Sequence, residues 1–173
     1  VLIRKTGWQW RGDFFDPEIP LSVELHFRFW NERMERLPAP GTEDFWSRRT
    51  RRRIAGMELE VLSAPDALGY AALHVLRHVM HGNLNTFHAY EIAGFLDSRA
   101  GDGAFWTEWR ALHPPELRRL QAVVFRLAQE WFGCRMAPLA QEETEQLPAA
   151  TRTWFADFAV SPATCRFDSN KDQ

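Results

Sequence analysis

The stretch SVELHFRFW, residues 22–30, places three groups that can do chemistry on one side of a predicted strand. Side chains alternate between the two faces of a strand, so Glu24, His26 and Arg28 share one face and the apolar residues between them share the other. A carboxylate held rigidly on a strand can help to position a divalent metal, which favours an active-site floor. The plainer interpretation is a half-buried strand that shows these groups to water.

A histidine stripe on a predicted helix is the second candidate, formed by His74, His78 and His81 at positions i, i+4 and i+7. Three imidazoles are a donor set for zinc, and His88 or Glu91 on the next predicted helix could complete a site. A straight helix, however, separates its first and last histidine by ~10 Å. We therefore predict no tightly bound zinc and expect packing contacts, hydrogen bonds or a polar cleft.

Positive charge is concentrated in RRTRRR, which comprises Arg48, Arg49 and Arg51–Arg53. This cluster could bind phosphate, although a solvated helix end is the simpler interpretation. The whole chain has a net charge of -2 and a pI near 6.3. No overall field therefore favours nucleic acid or an anionic membrane, and we predict neither as a specific partner.

The elements that must position these residues run strands first and helices after, which predicts an α+β fold. A second strand is expected over 57–63, where apolar and acidic residues alternate. Ser63 and Asp66 form a capping-box-like start for a helix that ends near Gly82. Further helices are predicted over 86–100, 105–112, 115–133 and 151–160, and Thr42 is expected to cap a short helix that carries Phe45 and Trp46.

Composition is ordinary for a soluble globular protein, with 45% hydrophobic and 25% charged residues in a chain of 173. No apolar run approaches the ~18 residues of a membrane span, and the first residues lack a signal-peptide layout. The two cysteines, Cys134 and Cys165, form no metal or redox pattern. We therefore predict a cytoplasmic location and no membrane partner.

The order of four phrases carries a resemblance: PLSVELHFRFW, EDFWSRR, MELEVLSAPDALGYAALHVLRH and FHAYEIAGFLD. Together they resemble the uncharacterised nucleotidyltransferase-like family of bacterial proteins over about residues 17–133. That family shows a strand of the type V-E-L-H-W-R, a short segment with Trp, and a helix with L-x-x-H-x-x-x-H. A following helix carries an acidic residue near its end, here Asp97.

The resemblance implies an ATP-binding or other NTP-binding site with Mg²⁺ and an acceptor that it does not identify. Nucleotidyltransferases use three acidic residues, and the match of Val23-Glu24-Leu25 gives Glu24 the place of the third, as a metal ligand and catalytic residue. His26, Arg28 and Arg77 become substrate-binding candidates, and His74, His78 and His81 a polar cleft. The Gly-Ser and D-x-D motifs of the other two acids do not occur in this sequence.

The leading hypothesis is therefore the C-terminal portion of a nucleotidyltransferase, or a shortened relative, inactive as this chain alone. Its regions would be a partial sheet over 1–62, a helical region over 63–160 and a polar tail over 161–173. One alternative is a noncatalytic helical module for binding or assembly, and another is a histidine-based metal protein. An open sheet edge predicts a homo-oligomer, unless residues 1–20 close that edge and leave a monomer.

Overall fold

The computed structural model describes residues 28–82 and 85–159, where a two-stranded hairpin precedes a helical region. This order confirms the predicted α+β class. The elements are α1 (Glu32–Glu35), a 3-10 turn (Thr42–Asp44), β1 (Thr50–Ile54), β2 (Met57–Val61), α2 (Ala64–Met80), α3 (Thr86–Ser98), α4 (Gly103–Leu112), α5 (Pro115–Phe132), α6 (Pro138–Glu145) and α7 (Ala149–Phe158). No helix within these described ranges is long and apolar enough to cross a membrane.

The start of α2 is where its sequence predicts it, at Ser63. The Ser63 hydroxyl accepts a hydrogen bond from the backbone N–H of Asp66 and donates one, at 2.7 Å, to the Asp66 carboxylate. An N-cap hydroxyl satisfies one of the N–H groups that a helix start leaves unpaired. Gly82 follows the helix with a φ of 67°, in the left-handed region that glycine adopts at helix ends.

Two helices, α1 and α6, are absent from the sequence-based prediction. The first is a single turn, too short for a periodic pattern to show. The second, PLAQEETE, is largely polar, and the side chains it buries are small or polar: Ala140, Glu143 and Thr144. Without large apolar residues at helical spacing, hydrophobic periodicity cannot detect such a segment.

The arginine cluster was expected at a solvated helix end, and this was wrong. Arg51–Arg53 lie in strand β1. Ala55 and Gly56 both have positive φ, at 49° and 85°, which is the two-residue turn that suits a hairpin. An alanine in this conformation is unusual, so the turn could not be predicted from the sequence. The register places Arg51 opposite Glu60 and Arg53 opposite Glu58, and opposite charges on facing strands stabilise the pairing.

The second strand is confirmed as β2, two residues shorter than predicted, and its alternating pattern does not bury its apolar side. All of its residues except Val61 are exposed, including the apolar Met57 and Leu59. The predicted cap at Thr42 is also wrong, since Gly41 precedes the 3-10 turn and the Thr42 hydroxyl donates to the carbonyl of Ala39 at 2.9 Å.

The first predicted strand falls largely on residues 22–27, which lie outside the described residues, as does the tail 161–173. Within the described part of that strand, residues 28–30 are not in a strand. The division near residue 62 and the expected self-association remain predictions.

The hydrophobic core is centred on α5, which packs against α2, α3 and α6. Trp106 and Trp109 from α4 are fully buried, with ring centroids 6.0 and 5.9 Å from that of Phe125 on α5. Edge-on and tilted ring pairs of this kind add specific attraction to the burial of apolar area. The N-terminal loop joins this core through Phe45, which is also fully buried.

A polar network lies inside this core and centres on the fully buried carboxylate of Asp66. Arg48 donates two hydrogen bonds to it, at 3.0 and 2.7 Å, and Nε2 of His113 lies 3.1 Å from its Oδ1. On the other side of the imidazole, Nδ1 lies 3.2 Å from Nε2 of Gln121, whose Oε1 accepts a hydrogen bond from Trp109 at 2.6 Å.

These contacts determine the orientation of each member. Because Trp109 donates to the Gln121 oxygen, the Gln121 amide nitrogen donates to Nδ1 of His113. The neutral His113 then carries its proton on Nε2 and donates it to Asp66. Asp66, His113, Gln121 and Trp109 therefore each have a hydrogen-bond partner within this network, as burial of polar groups requires.

Gly69 on α2 lies directly against this network. A Cβ at this position would stand 3.0 Å from Phe45, 3.1 Å from His113 and 3.2 Å from Gln121. All three neighbours are buried, so none can move away freely. The glycine allows α2 to approach the network closely.

We predict that Gly69→Ala lowers the free energy of unfolding by ~1–3 kcal/mol, the usual cost of overpacking. The matched control is Gly94→Ala on α3, where an added Cβ would meet nothing within 4 Å. There the higher helix propensity of alanine should raise the free energy of unfolding by up to ~1 kcal/mol. Urea denaturation followed by circular dichroism measures both, and equal effects would contradict the close approach at Gly69.

The acidity of Asp66 follows from its surroundings. Burial alone would raise the pKa of this carboxyl, but hydrogen bonds from His113, Arg48 and Ser63, together with the charge of Arg48, lower it to about 2 from its ordinary 3.8. The folded state thus binds this proton less tightly than the unfolded state does. The resulting stabilisation is complete above the ordinary pKa and disappears as the pH falls towards 2.

We predict that the wild-type chain loses about 2 kcal/mol of stability through Asp66 between roughly pH 5 and pH 2, following the pKa difference. Asp66→Asn should remove this component of the pH dependence, and Asp66→Ala should cost ~3–5 kcal/mol at neutral pH because it leaves Arg48 without its buried carboxylate partner. Urea titrations at several pH values test this. An Asp66→Asn profile parallel to that of the wild type would show that Asp66 does not carry the effect.

Candidate functional site

An open groove of about 1440 Å³ lies beside α1 and the loop that follows it. The charged and aromatic side chains in the described part of its lining include Arg28, Arg33, Arg36, Glu32, Glu43, Phe29, Trp30 and Trp46. Aromatic surfaces together with a few charged groups are the usual lining of a small-molecule site. The groove is therefore the first candidate for ligand binding.

Three arginines supply the positive charge of the groove. Arg28, Arg33 and Arg36 are all exposed, and within the described part of the chain none of them forms an ion pair. Of the two acids in the lining, Glu43 accepts a hydrogen bond from the backbone N–H of Gly41 at 2.9 Å. Planar guanidinium groups that are not bound to a carboxylate can donate to phosphate oxygens.

The single turn of α1 positions two of these arginines. Asn31 caps the turn by accepting a hydrogen bond from the backbone of Met34, and Arg36 ends it with a φ of 54°. Arg33 lies within this turn and Arg36 directly follows it, and both line the groove. A hydrogen bond of 2.6 Å from the Trp30 indole N–H to the carbonyl oxygen of Leu37 connects the two ends of this segment.

A run of ring contacts leads from the groove to the histidines of α2. Phe29, which lines the groove, has its ring centroid 5.5 Å from that of Tyr70, and Tyr70 lies 6.3 Å from His74. Phe29 also contacts the buried Phe45 at 5.4 Å. The groove and the histidines are thus neighbouring features, but none of the histidines belongs to the described lining of the groove.

The histidine stripe divides into two parts. The Nε2 atoms of His74 and His78 lie 2.6 Å apart, and their rings stack with centroids at 4.5 Å. His81 instead lies 2.8 Å from the carboxylate of Glu35 on α1, and so ties the groove segment to the end of α2. These are packing and hydrogen-bond contacts of the kind expected for the three histidines, and their role as a polar cleft remains a prediction.

The third histidine beside His74 and His78 is His88 on α3, and not His81. Its ring centroid lies 5.2 Å from that of His74 and 6.1 Å from that of His78. Its Nδ1 lies 3.2 Å from the carboxylate of Glu91, one turn further along α3. We call His74, His78 and His88 the histidine cluster.

The other predicted site residues are distributed as follows. Arg28 lines the groove, whereas Glu24 and His26 lie outside the described residues. Arg77 is partly exposed on α2 and does not belong to the described lining. Asp97 is engaged by Arg135, whose side chain and backbone both donate to it and hold the pKa of the Asp97 carboxyl below its usual range.

Sequence reasoning did not single out Arg33, Arg36 or Trp46. Arg33 and Arg36 directly follow the first predicted strand at helical spacing, and this spacing was the available signal. Nor did it single out the link from Asp66 to His113, which joins residues 47 positions apart. No local pattern can indicate such a contact.

One comparison with known proteins gives a match. A family model described as "Uncharacterised nucleotidyltransferase" matches residues 2–133, about three quarters of the chain. The match includes the groove, the histidine cluster and the Asp66 network. No curated protein and no solved structure matches the chain.

Proposed function

The chain belongs to the uncharacterised nucleotidyltransferase family, and on this basis we propose that it takes part in transferring a nucleotidyl group from an NTP to an acceptor. The observation that supports this most directly is the set of three exposed arginines, Arg28, Arg33 and Arg36, on one groove within the matched residues. The acceptor is a separate question that the groove does not answer.

The chemistry of the substrate suits such a groove. A nucleotidyl transfer breaks the bond between the α- and β-phosphates, and the leaving pyrophosphate gathers negative charge. Guanidinium groups that donate to the β- and γ-phosphates stabilise that charge and orient the chain of phosphates. In this proposal, Arg33 and Arg36 bind the phosphates from the side of α1, and Arg28 binds them from the entrance to the first loop.

The metal requirement is a separate part of the proposal. Mg²⁺ would neutralise phosphate charge, and Glu24 would be one of its ligands by resemblance to the family. Among residues 28–82 and 85–159, no group of three or more histidine, cysteine or acidic side chains is placed to hold a metal ion. We therefore derive no step through Mg²⁺ from the described residues, and assign to them the binding and orientation of the nucleotide.

We predict that the chain binds ATP or CTP and that Arg33→Ala and Arg36→Ala each weaken binding by roughly tenfold or more. Each change removes hydrogen bonds between a cation and a phosphate, which are worth about 1.5–3 kcal/mol. Isothermal titration calorimetry with and without Mg²⁺ measures the affinities. Arg28→Ala should act in the same direction.

The matched control is Arg119→Ala, which removes an exposed arginine of α5 that does not belong to the described lining of the groove. Its affinity for the nucleotide should equal that of the wild type. Equal affinities in all four variants would exclude the groove as the phosphate site.

We further predict that the chain alone transfers no nucleotide, because its sequence contains no D-x-D to provide the two main metal carboxylates. Incubation with labelled ATP or CTP, Mg²⁺ and a range of acceptors tests this. Transfer above background that is lost in Glu24→Gln would show that the sequence supplies the required acids in another form.

One observation favours the alternative of a noncatalytic binding module. Three apolar residues of the hairpin, Ile54, Met57 and Leu59, are exposed on the side that they share with Arg52. A chain that binds neither nucleotide would make this alternative the better explanation of the fold.

A further inference from the structure

We propose that Trp46 stacks against the base of the nucleotide, so that the groove recognises a nucleoside triphosphate by its base as well as by its phosphates. This inference rests on the proposed function, because it concerns the same groove. It adds to the three arginines a contact that an inorganic phosphate chain cannot make.

Trp46 is the aromatic ring of the described lining that offers the most surface to a ligand. It lines the groove and is 50% exposed, whereas the other two aromatic side chains there, Phe29 and Trp30, are partly buried. The ring of Phe29 also packs against the buried Phe45. An exposed indole presents a π-face on which any nucleobase can stack.

The backbone on both sides of Trp46 is held in place. Phe45, directly before it, is fully buried in the core. Ser47, directly after it, donates its backbone N–H and its hydroxyl to the carbonyl of Asp44, at 3.0 and 2.7 Å. The ring is therefore attached to a fixed point of the chain, which reduces the entropy that a ligand must remove when it binds.

One face of the Trp46 indole is already covered. The guanidinium group of Arg49 lies over the ring at 5.4 Å from its centroid and also donates to the Trp46 carbonyl at 3.0 Å. Glu60 of β2 holds this guanidinium through a hydrogen bond of 2.7 Å. Because Arg49 does not belong to the described lining of the groove, the opposite face of the indole is the one that can meet a base.

The groove has room for the two ends of a nucleotide. Its volume of about 1440 Å³ exceeds the ~300–1,000 Å³ that is usual for small-molecule sites. In a nucleoside triphosphate, the ribose separates the base from the phosphates, so each end needs its own area of contact. Arg33 and Arg36 provide the area for the phosphates beside α1, and Trp46 provides the area for the base beyond the 3-10 turn.

The test compares ATP with inorganic tripolyphosphate, which has the phosphates but no base, by isothermal titration calorimetry of the full chain at one Mg²⁺ concentration. Trp46→Ala should weaken ATP binding by roughly 5-fold to 150-fold, as expected for the loss of one base–aromatic stack. Its affinity for tripolyphosphate should stay within twofold of that of the wild type. Trp46→Phe, which keeps a smaller π-face, should lose less affinity for ATP than Trp46→Ala, and Arg33→Ala should weaken both ligands.

Fluorescence gives a second readout, which a purely structural role of Trp46 would not produce. The chain has eight tryptophans, so the difference between the wild type and Trp46→Phe isolates the emission of Trp46. ATP should quench this component because the base stacks on the indole, and tripolyphosphate should not. Quenching by ATP that is the same in Trp46→Phe as in the wild type would contradict the stack.

The matched control is Phe87→Ala, which removes a similarly exposed aromatic side chain, 58% exposed, from α3 outside the described lining of the groove. Its affinity for ATP should equal that of the wild type. An ATP affinity of Trp46→Ala within twofold of the wild type, or an equal loss for ATP and tripolyphosphate, would overturn the role of Trp46.

The inference and the proposed function fail in different ways. ATP binding that Arg33→Ala weakens and Trp46→Ala does not would overturn the stack and leave the phosphate site in place. An absence of ATP binding to the wild type would overturn both.

Discussion

The Asp66 carboxylate holds together parts of the chain that no other described contact joins so directly. Arg48 reaches it from the loop before the hairpin, Ser63 from the start of α2, and His113 from the junction of α4 and α5. A buried charge is costly unless it is paired and fully hydrogen-bonded, so these three segments must meet at this point for the chain to fold. Phe45 contacts Arg48 and His113 at this point, and it also contacts Phe29, which lines the groove.

The described structure also shows which elements could be predicted from sequence patterns and which could not. Long helices with apolar periodicity and clear ends were predicted closely, as α2 and α5 show, because Ser63, Gly82 and Gly133 determine their ends locally. The hairpin strand β1 was missed because its arginines face water on both sides and Ala55 occupies a turn position typical of glycine or asparagine. Local signals therefore predicted the helical region better than the hairpin.

The site was less predictable for a physical reason. The sequence placed three histidines of α2 on one stripe, but helix spacing alone could not show that His81 contacts Glu35 while His88 on α3 lies beside His74. Those outcomes depend on how α1 and α3 pack against α2. The sequence gives the positions of the histidines along each helix, and tertiary packing determines which of them contact one another.

The exposed hairpin has a consequence for the way the chain would respond to a protease. Strand β1 offers three successive arginines to trypsin, in a two-stranded ribbon whose residues are almost all exposed and which can open locally. A nick there would leave Phe45 and Arg48 on one fragment and Asp66 on the other. The buried ring and the ion pair would still hold the two fragments as one noncovalent complex. The covalent link through the hairpin is thus not what keeps the groove segment on the helical body.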